Sequence, residues 1–371
     1  MVKSYLSSII SAFVFVAAPA VVAEETVPFQ WAHALTLESV SNFQGGIERG
    51  SRQMSNLDLT LAVDTGAANW WGDGTFFVYV LGNYGKAPSD ITGDLQTISN
   101  IQAPNDLKIN ELWYQHSFAD GAVKVLFGLH DYNSTFYSLE SAGLFANSSF
   151  GIGPELAQVG PSIFPNTATT LHFTFTFGDQ YLLIAAYDGI PGDPEHPHGT
   201  HVKFKNTDGL FKAAEWGIAH EKSYKFAVGG WQHTAQVESP IDGGLLDDNS
   251  GFYVIGEKNV TDNLAFFLQY GHANADKNQL DNYTGFGATL SNTWVDEDAL
   301  GLGYSRAHNG SAYLEVNPDL LSAETILELT YQRPLMEHLK VQSSLYSIQH
   351  PSMDPSVEDA LALGVRLYIE F

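Results

Sequence analysis

The chain has 371 residues, of which 17 are Lys or Arg and 42 are Asp or Glu, so its formal net charge is −25. Charged residues make up only 16% and aromatic residues 13%, which excludes a disordered chain because ample apolar surface can be buried. The acidic excess predicts no nucleic-acid partner, since phosphate binding needs clustered Lys and Arg. The chain has no Cys, which excludes disulfide frameworks, thiolate metal sites and cysteine nucleophiles.

The N-terminus has the pattern of a secretory signal peptide. Lys3 supplies the positive charge, and residues 6–16 form an apolar stretch that is too short to span a bilayer as a helix. Small residues then precede a cleavage position after Ala23. We predict a cleaved signal peptide at residues 1–23 and a single mature domain at residues 24–371, because no change in composition marks a second domain.

Beyond residue 24, apolar and polar residues alternate with a period of two in many short segments. This alternation places apolar side chains on one face of a strand and polar side chains on the other. Segments with the pattern are 56–64, 123–129, 171–177 and 324–332. Every apolar run is interrupted well short of the roughly 18 residues of a transmembrane helix. The pattern therefore predicts an all-β chain.

The connections between these segments differ in length. Short turns such as 119–121, 178–179 and 261–263 alternate with long stretches rich in Gly, Pro, Asp and Asn, such as 190–199 and 239–251. Short turns at one end and long loops at the other are typical of outer-membrane barrels. The length of the mature chain then predicts a transmembrane antiparallel β-barrel of about 16 strands, with short periplasmic turns and long outer loops.

The C-terminal segment predicts the outer membrane as the location. Apolar residues alternate from Leu361 to Leu367, and the chain ends in the aromatic Phe371. Such an ending resembles the signal that the outer-membrane barrel-assembly machinery reads. We therefore expect the last strand to contact this machinery through Phe371, and the apolar outer surface to contact outer-membrane lipid.

A series of short motifs occurs in a fixed order along the mature chain. They are Asn56-Leu57-Asp58-Leu59, Gly72-Asp73-Gly74-Thr75-Phe76, Gly93-Asp94-Leu95-Gln96-Thr97-Ile98, Glu111-Leu112-Trp113-Tyr114, Phe145-Ala146-Asn147-Ser148-Ser149-Phe150-Gly151, Phe164-Pro165, Tyr187-Asp188-Gly189, Glu328-Leu329-Thr330-Tyr331 and Gln349-His350-Pro351. In this order and spacing the chain, from residue 56 to residue 371, resembles the carbohydrate-selective porins of the OprB type. The resemblance implies an outer-membrane barrel that passes small sugars, glucose in the best-known members, by passive diffusion.

Two features keep other classes of function open. The chain has only five Arg residues, and it reads Gln342-Ser343-Ser344 where sugar-selective members of that family carry Gln-Pro-Asp. The alternatives are a general diffusion porin with a weak cation preference and, from another class, a barrel that binds partners or acts as a hydrolase. His130, Asp131 and Ser134 come nearest to a hydrolase set, and no short catalytic motif is present. The main prediction is a sugar porin that is not an enzyme and has no cofactor and no metal.

A pore that passes sugars needs polar side chains for the hydroxyl groups and aromatic rings for the C–H faces. Binding must also be weak enough for the sugar to leave. Phasing by the period of two gives the candidate sugar-contacting residues Glu111, Trp113, Lys108, Asp58, Asp64, Lys124, Arg366 and Tyr368. We expect Lys108 to pair with a carboxylate across the pore. The alternative for each residue is a role in a hydrogen-bond or salt-bridge network of the wall.

Other segments carry weaker predictions. Residues 147–165 are the candidate for a loop folded into the pore, with an outer loop as the alternative. His196, His198 and His201 could together bind zinc or copper, although an ordinary loop is the favoured interpretation. The Trp70-Trp71 pair predicts an aromatic girdle at the membrane interface. The sequence leaves both a monomer and a homotrimer open.

Overall fold

The structure is a computed structural model that describes residues 27–205, 207–220 and 223–371. The predicted signal peptide at residues 1–23 lies outside the described residues. Across these three ranges, no helix is long and apolar enough to cross a membrane.

Sixteen strands form one closed barrel, and two short strands form a separate hairpin. The barrel strands are β1 (Phe29–Gly46), β2 (Gly50–Asp64), β3 (Gly74–Gly85), β4 (Asp106–Phe118), β5 (Val123–His130), β6 (Ala168–Phe177), β7 (Gln180–Asp188), β8 (Leu210–His220), β9 (Tyr224–His233), β12 (Asn249–Asn259), β13 (Leu264–Ala273), β14 (Leu280–Ser291), β15 (Ala299–Asn309), β16 (Ala323–Met336), β17 (Leu339–Gln349) and β18 (Glu358–Glu370). The hairpin consists of β10 (Val237–Glu238) and β11 (Leu245–Leu246).

Each barrel strand pairs antiparallel with the strands before and after it in the chain, and β9 pairs with β12 because the small hairpin lies in their connection. The barrel closes where β1 pairs with β18, in a register that runs from Ala34 opposite Glu370 to Gly46 opposite Glu358. Closure pairs every strand edge, as a lipid environment requires. The predicted antiparallel barrel of about 16 strands is confirmed.

The helices of the described chain are short and lie in the connections between strands. The α-helices are α1 (Ser89–Thr92), α2 (Pro154–Ala157) and α3 (Ser311–Val316), and the 3-10 helices are Tyr132–Ser134, Ser141–Leu144, Ser148–Phe150 and Pro351–Met353. Four of these seven segments belong to the single connection between β5 and β6, which is therefore a folded structure of its own.

The alternation seen in the sequence produces the two faces of the barrel. Large apolar side chains on the outer face are open to the membrane: Leu112 is 47% exposed, Phe127 61% and Leu302 57%. The neighbouring residues along each strand point inward, and Trp113 is only 6% exposed. The apolar faces predicted for the strand segments thus lie on the lipid side.

The two ends of the barrel differ as predicted. At one end the connections are short, including residues 119–122, 178–179 and 337–338. At the other end they are mostly long, including residues 86–105 and 131–167. Short periplasmic turns and longer outer loops are the rule in outer-membrane barrels, so the long connections mark the outer side.

An exposed aromatic cluster lies at the short-turn end, in and near the connection between β2 and β3. Trp70 and Trp71 are 53% and 48% exposed. The indole Nε1 of Trp71 donates to Tyr114 Oη at 2.6 Å, and the rings of Phe76 and Tyr114 lie 4.7 Å apart. Exposed aromatic rings at a barrel rim sit at the level of the lipid headgroups. Their position agrees with the predicted girdle.

Candidate functional site

The connection between β5 and β6, called loop 131–167 below, folds into the barrel. Its aromatic residues Tyr132, Phe136 and Phe150 are almost fully buried. They belong to one apolar cluster with inward side chains of β6 to β9, β12 and β13, such as Tyr187 and Phe211. This loop therefore narrows the lumen from that side, and it contains the predicted segment 147–165.

Carboxylates of the barrel wall hold loop 131–167 through its backbone. Glu215 accepts from the Tyr137 N–H at 2.9 Å, and Glu328 accepts from the Ala146 and Asn147 N–H groups at 2.9 and 3.0 Å. Glu257 accepts in the same way from the N–H groups of residues 140 and 141, at 3.1 and 2.8 Å. Each carboxyl group accepts from one or two backbone N–H groups, so three wall strands fix the course of the loop.

Two glycines of the wall allow the loop to approach closely. A Cβ atom at Gly271 on β13 would overlap the carboxylate of Glu155, and a Cβ atom at Gly303 on β15 would overlap the ring of Phe150. Glycine at these positions leaves room for the loop at the cost of a wall side chain.

Glu155, in α2 of loop 131–167, is fully buried against this wall. Tyr137 Oη donates to its Oε1 at 3.4 Å. Burial raises the pKa of the Glu155 carboxyl to about 8, although hydrogen bonds from the backbone and from Tyr137 oppose the shift. A raised pKa favours the protonated form of Glu155, which lowers the cost of burying this carboxyl group beside the apolar cluster.

The connection between β3 and β4, called loop 86–105 below, enters the lumen from the opposite side. Glu324 on β16 accepts from the Leu95 and Gln96 N–H groups at 2.8 and 3.0 Å. Ile98 is fully buried and packs in a second apolar cluster with Val40, Ile326, Tyr346 and Ile348 of the wall. Residues from strands β16, β17 and β1 thus anchor this loop.

A buried ion pair lies beneath loop 86–105. Arg366 on β18 donates to Glu38 on β1 at 3.0 Å, and the two side chains are 4% and 1% exposed. Arg366 also donates to Ser99 Oγ at 3.1 Å and to Asn100 Oδ1 at 2.9 Å. The predicted site residue Arg366 is therefore inward-facing, as expected, but it is covered by the loop and engaged in a network of the wall.

The predicted pair of Glu111 and Trp113 comes together on β4. Trp113 Nε1 donates to Glu111 Oε2 at 3.1 Å, and the same oxygen accepts from the Asp131 N–H at 3.2 Å. The indole stacks on Phe77 with ring centroids 4.9 Å apart. Both residues point into the lumen, as the phasing predicted. Glu111 is only 7% exposed and fastens the start of loop 131–167.

Lys108 lies nearer the outer end of the same strand. Its Nζ donates to Asn166 Oδ1 at 2.7 Å and lies 3.6 Å from Asp106 Oδ2. The expectation that Lys108 pairs across the pore is wrong, because the carboxylate that it meets is two residues away on its own strand. The ammonium group thus joins the barrel wall to the end of loop 131–167.

The remaining predicted residues occupy different levels of the wall. Asp58 on β2 accepts from Tyr79 Oη on β3 at 2.5 Å. Tyr368 on β18 donates to Gln342 Oε1 at 2.7 Å, and Lys124 lies on β5 near the short-turn end. Asp64 ends β2, where its carboxylate accepts from the N–H groups of the following turn at 2.8 and 3.0 Å. Asp64 is therefore a turn-capping residue, at the far end of the strand from the outer mouth.

The hydrolase set that the sequence left open is not assembled. His130 Nε2 lies 3.2 Å from Ser134 Oγ, but its other ring nitrogen, Nδ1, lies 3.1 Å from Tyr187 Oη. The Asp131 carboxylate instead accepts from the backbone N–H groups of Asn133 and Phe164. The carboxylate that would orient the histidine is thus directed elsewhere.

Sequence reasoning missed the wall carboxylates that hold the two loops. They are Glu38, Glu215, Glu257, Glu324 and Glu328. A signal was present for the four other than Glu38, which pairs with Arg366. These four are acidic residues at inward positions, and the chain has only 17 basic residues for 42 acidic ones. Inward acids without basic partners need donors from another source, and backbone N–H groups of an inserted loop supply them.

An open cavity of about 600 Å³ lies at the outer mouth. Polar side chains from loop 86–105 and from the connection between β7 and β8 line it. They include Lys86, Asp90, Gln102, Asn105 and His198.

Comparison with known proteins identifies the family. A family model described as carbohydrate-selective porin, OprB family, matches residues 48–371. Porin B of Pseudomonas aeruginosa is 24% identical over 392 aligned positions, which cover 90% of this chain and 86% of Porin B. The high-pH structure of Pseudomonas putida OprB matches with a TM-score of 0.80 at 18% identity, over 93% of this chain and 94% of that chain. The low-pH structure of the same protein matches with a TM-score of 0.62 at 15% identity, over 93% of each chain. The chain therefore belongs to the OprB family of carbohydrate-selective porins, in the outer membrane.

Proposed function

We propose that this porin passes small neutral carbohydrates of the glucose type by passive diffusion, with weak binding on the way. Family membership is the observation that carries the sugar class. Both the family and the closed barrel support a channel without catalytic activity. The residues that bind sugar are part of the proposal and rest on the arrangement of the wall.

The proposed path follows strands β2 to β5. Within the described chain, the two large apolar clusters that seat the loops contain residues of β1, β6 to β9, β12, β13 and β16 to β18, and none of β2 to β5. Polar groups of this sector include the Lys108 ammonium group, the bonded pair of Asp58 and Tyr79, and Lys124 nearer the periplasm. Hydrogen-bond donors and acceptors that follow one another along the path, with one aromatic ring, suit a sugar, which has many hydroxyl groups. Such a solute must bind weakly at each position so that it can move on.

Glu111 and Trp113 have a different role in this proposal. Both are buried, and both of the hydrogen bonds to Glu111 Oε2 come from groups that it positions, the indole and the loop backbone. We assign them as positioning residues that set the start of loop 131–167. Arg366 and Tyr368 act similarly under loop 86–105, because both terminal nitrogens of the Arg366 guanidinium and the Tyr368 hydroxyl already donate to wall and loop acceptors.

Single-channel conductance in a planar bilayer, titrated with glucose, tests the function. We expect saturable block of the ion current by glucose. Replacing Lys108 by Met should raise the half-saturating glucose concentration about 3- to 10-fold, because one hydrogen bond has a net value of about 0.5–1.5 kcal/mol. The matched control is Lys340→Met, since Lys340 carries the same charge on another wall strand, β17, and pairs with Glu370 at 3.8 Å.

The alternative porin gives a different result in the same measurement. A cation-preferring current that glucose does not reduce, in the wild type and in both variants, would overturn the sugar proposal and favour a general diffusion porin. Block that weakens equally in Lys108→Met and Lys340→Met would leave sugar transport standing and would refute Lys108 as a contact.

We further propose that the barrel-assembly machinery recognises the last strand through Phe371. Its side chain is 61% exposed, and its N–H donates to the His33 carbonyl oxygen at 3.2 Å. Deletion of Phe371 should lower the amount of folded barrel in the outer membrane several-fold while secretion into the periplasm continues. Phe371→Tyr, which keeps the aromatic ring, is the matched control.

Refolding of the purified variants in detergent separates recognition from stability. The deletion variant should refold as well as the wild type, because one exposed side chain contributes little to the barrel. Normal assembly in cells without Phe371 would refute the proposed recognition, and so would a refolding defect as large as the assembly defect.

A further inference from the structure

The connection between β7 and β8 brings two histidines and one buried aspartate together on the outer side. His196 Nδ1 lies 3.0 Å from Asp193 Oδ2, and the rings of His196 and His201 are stacked with centroids 5.1 Å apart. One ligand atom from each of these three residues lies within 4.8 Å of the other two. Asp193 is 7% exposed, whereas both histidines are exposed. An ion could therefore reach the cluster from solvent.

The backbone that carries the cluster is fixed to the barrel. The Gly199 N–H donates to the Asp106 carboxylate at 2.9 Å, and Thr200 Oγ1 donates to the Ile109 carbonyl oxygen at 2.7 Å. Both bonds hold the segment between the two histidines against the outer end of β4. A ligand set on an anchored backbone loses less conformational entropy when it binds an ion.

The donor atoms indicate the class of ion. Imidazole nitrogen with one carboxylate oxygen suits Zn²⁺, Cu²⁺ and Ni²⁺, whereas Ca²⁺ and Mg²⁺ prefer oxygen alone. Zn²⁺ holds imidazole nitrogen at about 2.0–2.1 Å and carboxylate oxygen at about 2.0–2.2 Å. Ligand atoms within 4.8 Å of one another can coordinate one ion after rotation of the two exposed imidazole rings.

The surroundings already attract positive charge. Lys203 Nζ lies 3.3 Å from the Asp193 carboxylate and also forms an ion pair with Glu195. A divalent ion would compete with this ammonium group for Asp193, so the site should be of moderate affinity. His198 belongs to the same segment but lines the outer-mouth cavity with Lys86 and Asp90, away from the cluster.

We propose that Asp193, His196 and His201 form a binding site for a divalent transition-metal ion, best suited to Zn²⁺, on the outer surface of this porin. Three protein ligands leave the remaining coordination position to water. Bound metal would cross-link the two ends of segment 193–201 beside the outer mouth.

Isothermal titration of the refolded, full-length mature barrel with ZnCl₂ tests the site. The protein must carry no polyhistidine tag, and the buffer must not bind metal. We expect one Zn²⁺ per chain in the wild type. His196→Ala and His201→Ala should each weaken this binding at least 10-fold. His198→Ala is the matched control, because it removes an imidazole from the same segment without removing a proposed ligand.

The pattern across the three variants decides the outcome. Loss of binding in His196→Ala and His201→Ala, with wild-type binding in His198→Ala, supports the assignment. Equal binding in all four proteins would overturn it, as would absence of binding in the wild type or an equal loss in His198→Ala. Heat-modifiable migration on gels verifies that each variant is a folded barrel before titration.

Discussion

Replacing Arg366 by Met is expected to destabilise the barrel by about 3–5 kcal/mol, because it leaves the carboxylate of Glu38 buried without its ionic partner. The two side chains are 4% and 1% exposed, so water cannot replace the lost partner. The change also removes the hydrogen bonds from Arg366 to Ser99 and Asn100 in loop 86–105. Equilibrium urea unfolding in lipid vesicles, followed by tryptophan fluorescence, measures the change in unfolding free energy.

A double variant and a control separate the ion pair from the loss of an arginine. Glu38→Leu combined with Arg366→Met should recover most of the stability, because replacing both partners of a buried pair by apolar groups is often close to neutral. Arg333→Met removes an exposed arginine of β16 and should change stability by about 0.5 kcal/mol or less. If Arg366→Met unfolds at the wild-type urea concentration, the buried pair does not hold the loop.

The parts of the fold that depend on local pattern could be predicted from the sequence. In a barrel strand, side chains that face lipid alternate with side chains that face the lumen. The period of two therefore predicted that Leu112 points outward and Trp113 inward, as they do in the structure. The same reasoning brought Glu111 and Trp113 onto one face, two residues apart, where the structure has them hydrogen-bonded. The lengths of the connections distinguished the outer end from the periplasmic end.

One local signal remained unused. Leu107 and Ile109 face outward at odd positions, whereas Leu112 faces outward at an even one. The strand must therefore change phase between them, and the pairing with β3 shifts register at this point. As a result Asn110 and Glu111 both point inward. A bulge of this kind can be found in a sequence wherever the outward apolar positions change parity.

The insertion of loops 86–105 and 131–167 into the lumen could not be predicted from local sequence pattern. Leu95 and its acceptor Glu324 are 229 residues apart, and backbone N–H groups carry no residue-specific signal. An inward acid looks the same in the sequence whether it faces water, a sugar or a loop. Three of the 42 acidic residues, Glu215, Glu257 and Glu328, are used in this way to hold a loop.

Replacing Glu328 by Gln should loosen loop 131–167 and widen the pore. The two carboxylate oxygens accept from the Ala146 and Asn147 N–H groups, whereas the Gln side chain has one acceptor and presents its amide N–H₂ to the second donor. A buried donor left without an acceptor costs about 1–3 kcal/mol, which shifts the equilibrium toward the detached loop by roughly 5-fold or more. We expect a larger and noisier single-channel conductance than in the wild type.

Because the natural chain has no Cys, a single introduced thiol reports the detachment directly. Ala146 is only 2% exposed, between the loop and the wall, so the thiol of Ala146→Cys is buried there. A water-soluble maleimide reacts with this thiol only after the loop has moved. The labelling rate should rise about 5-fold or more when Glu328→Gln is added to this background. Glu337→Gln, an exposed change in the turn that follows the same strand, is the matched control and should leave the rate unchanged. Equal labelling rates in all three proteins would mean that the apolar cluster holds the loop without help from Glu328.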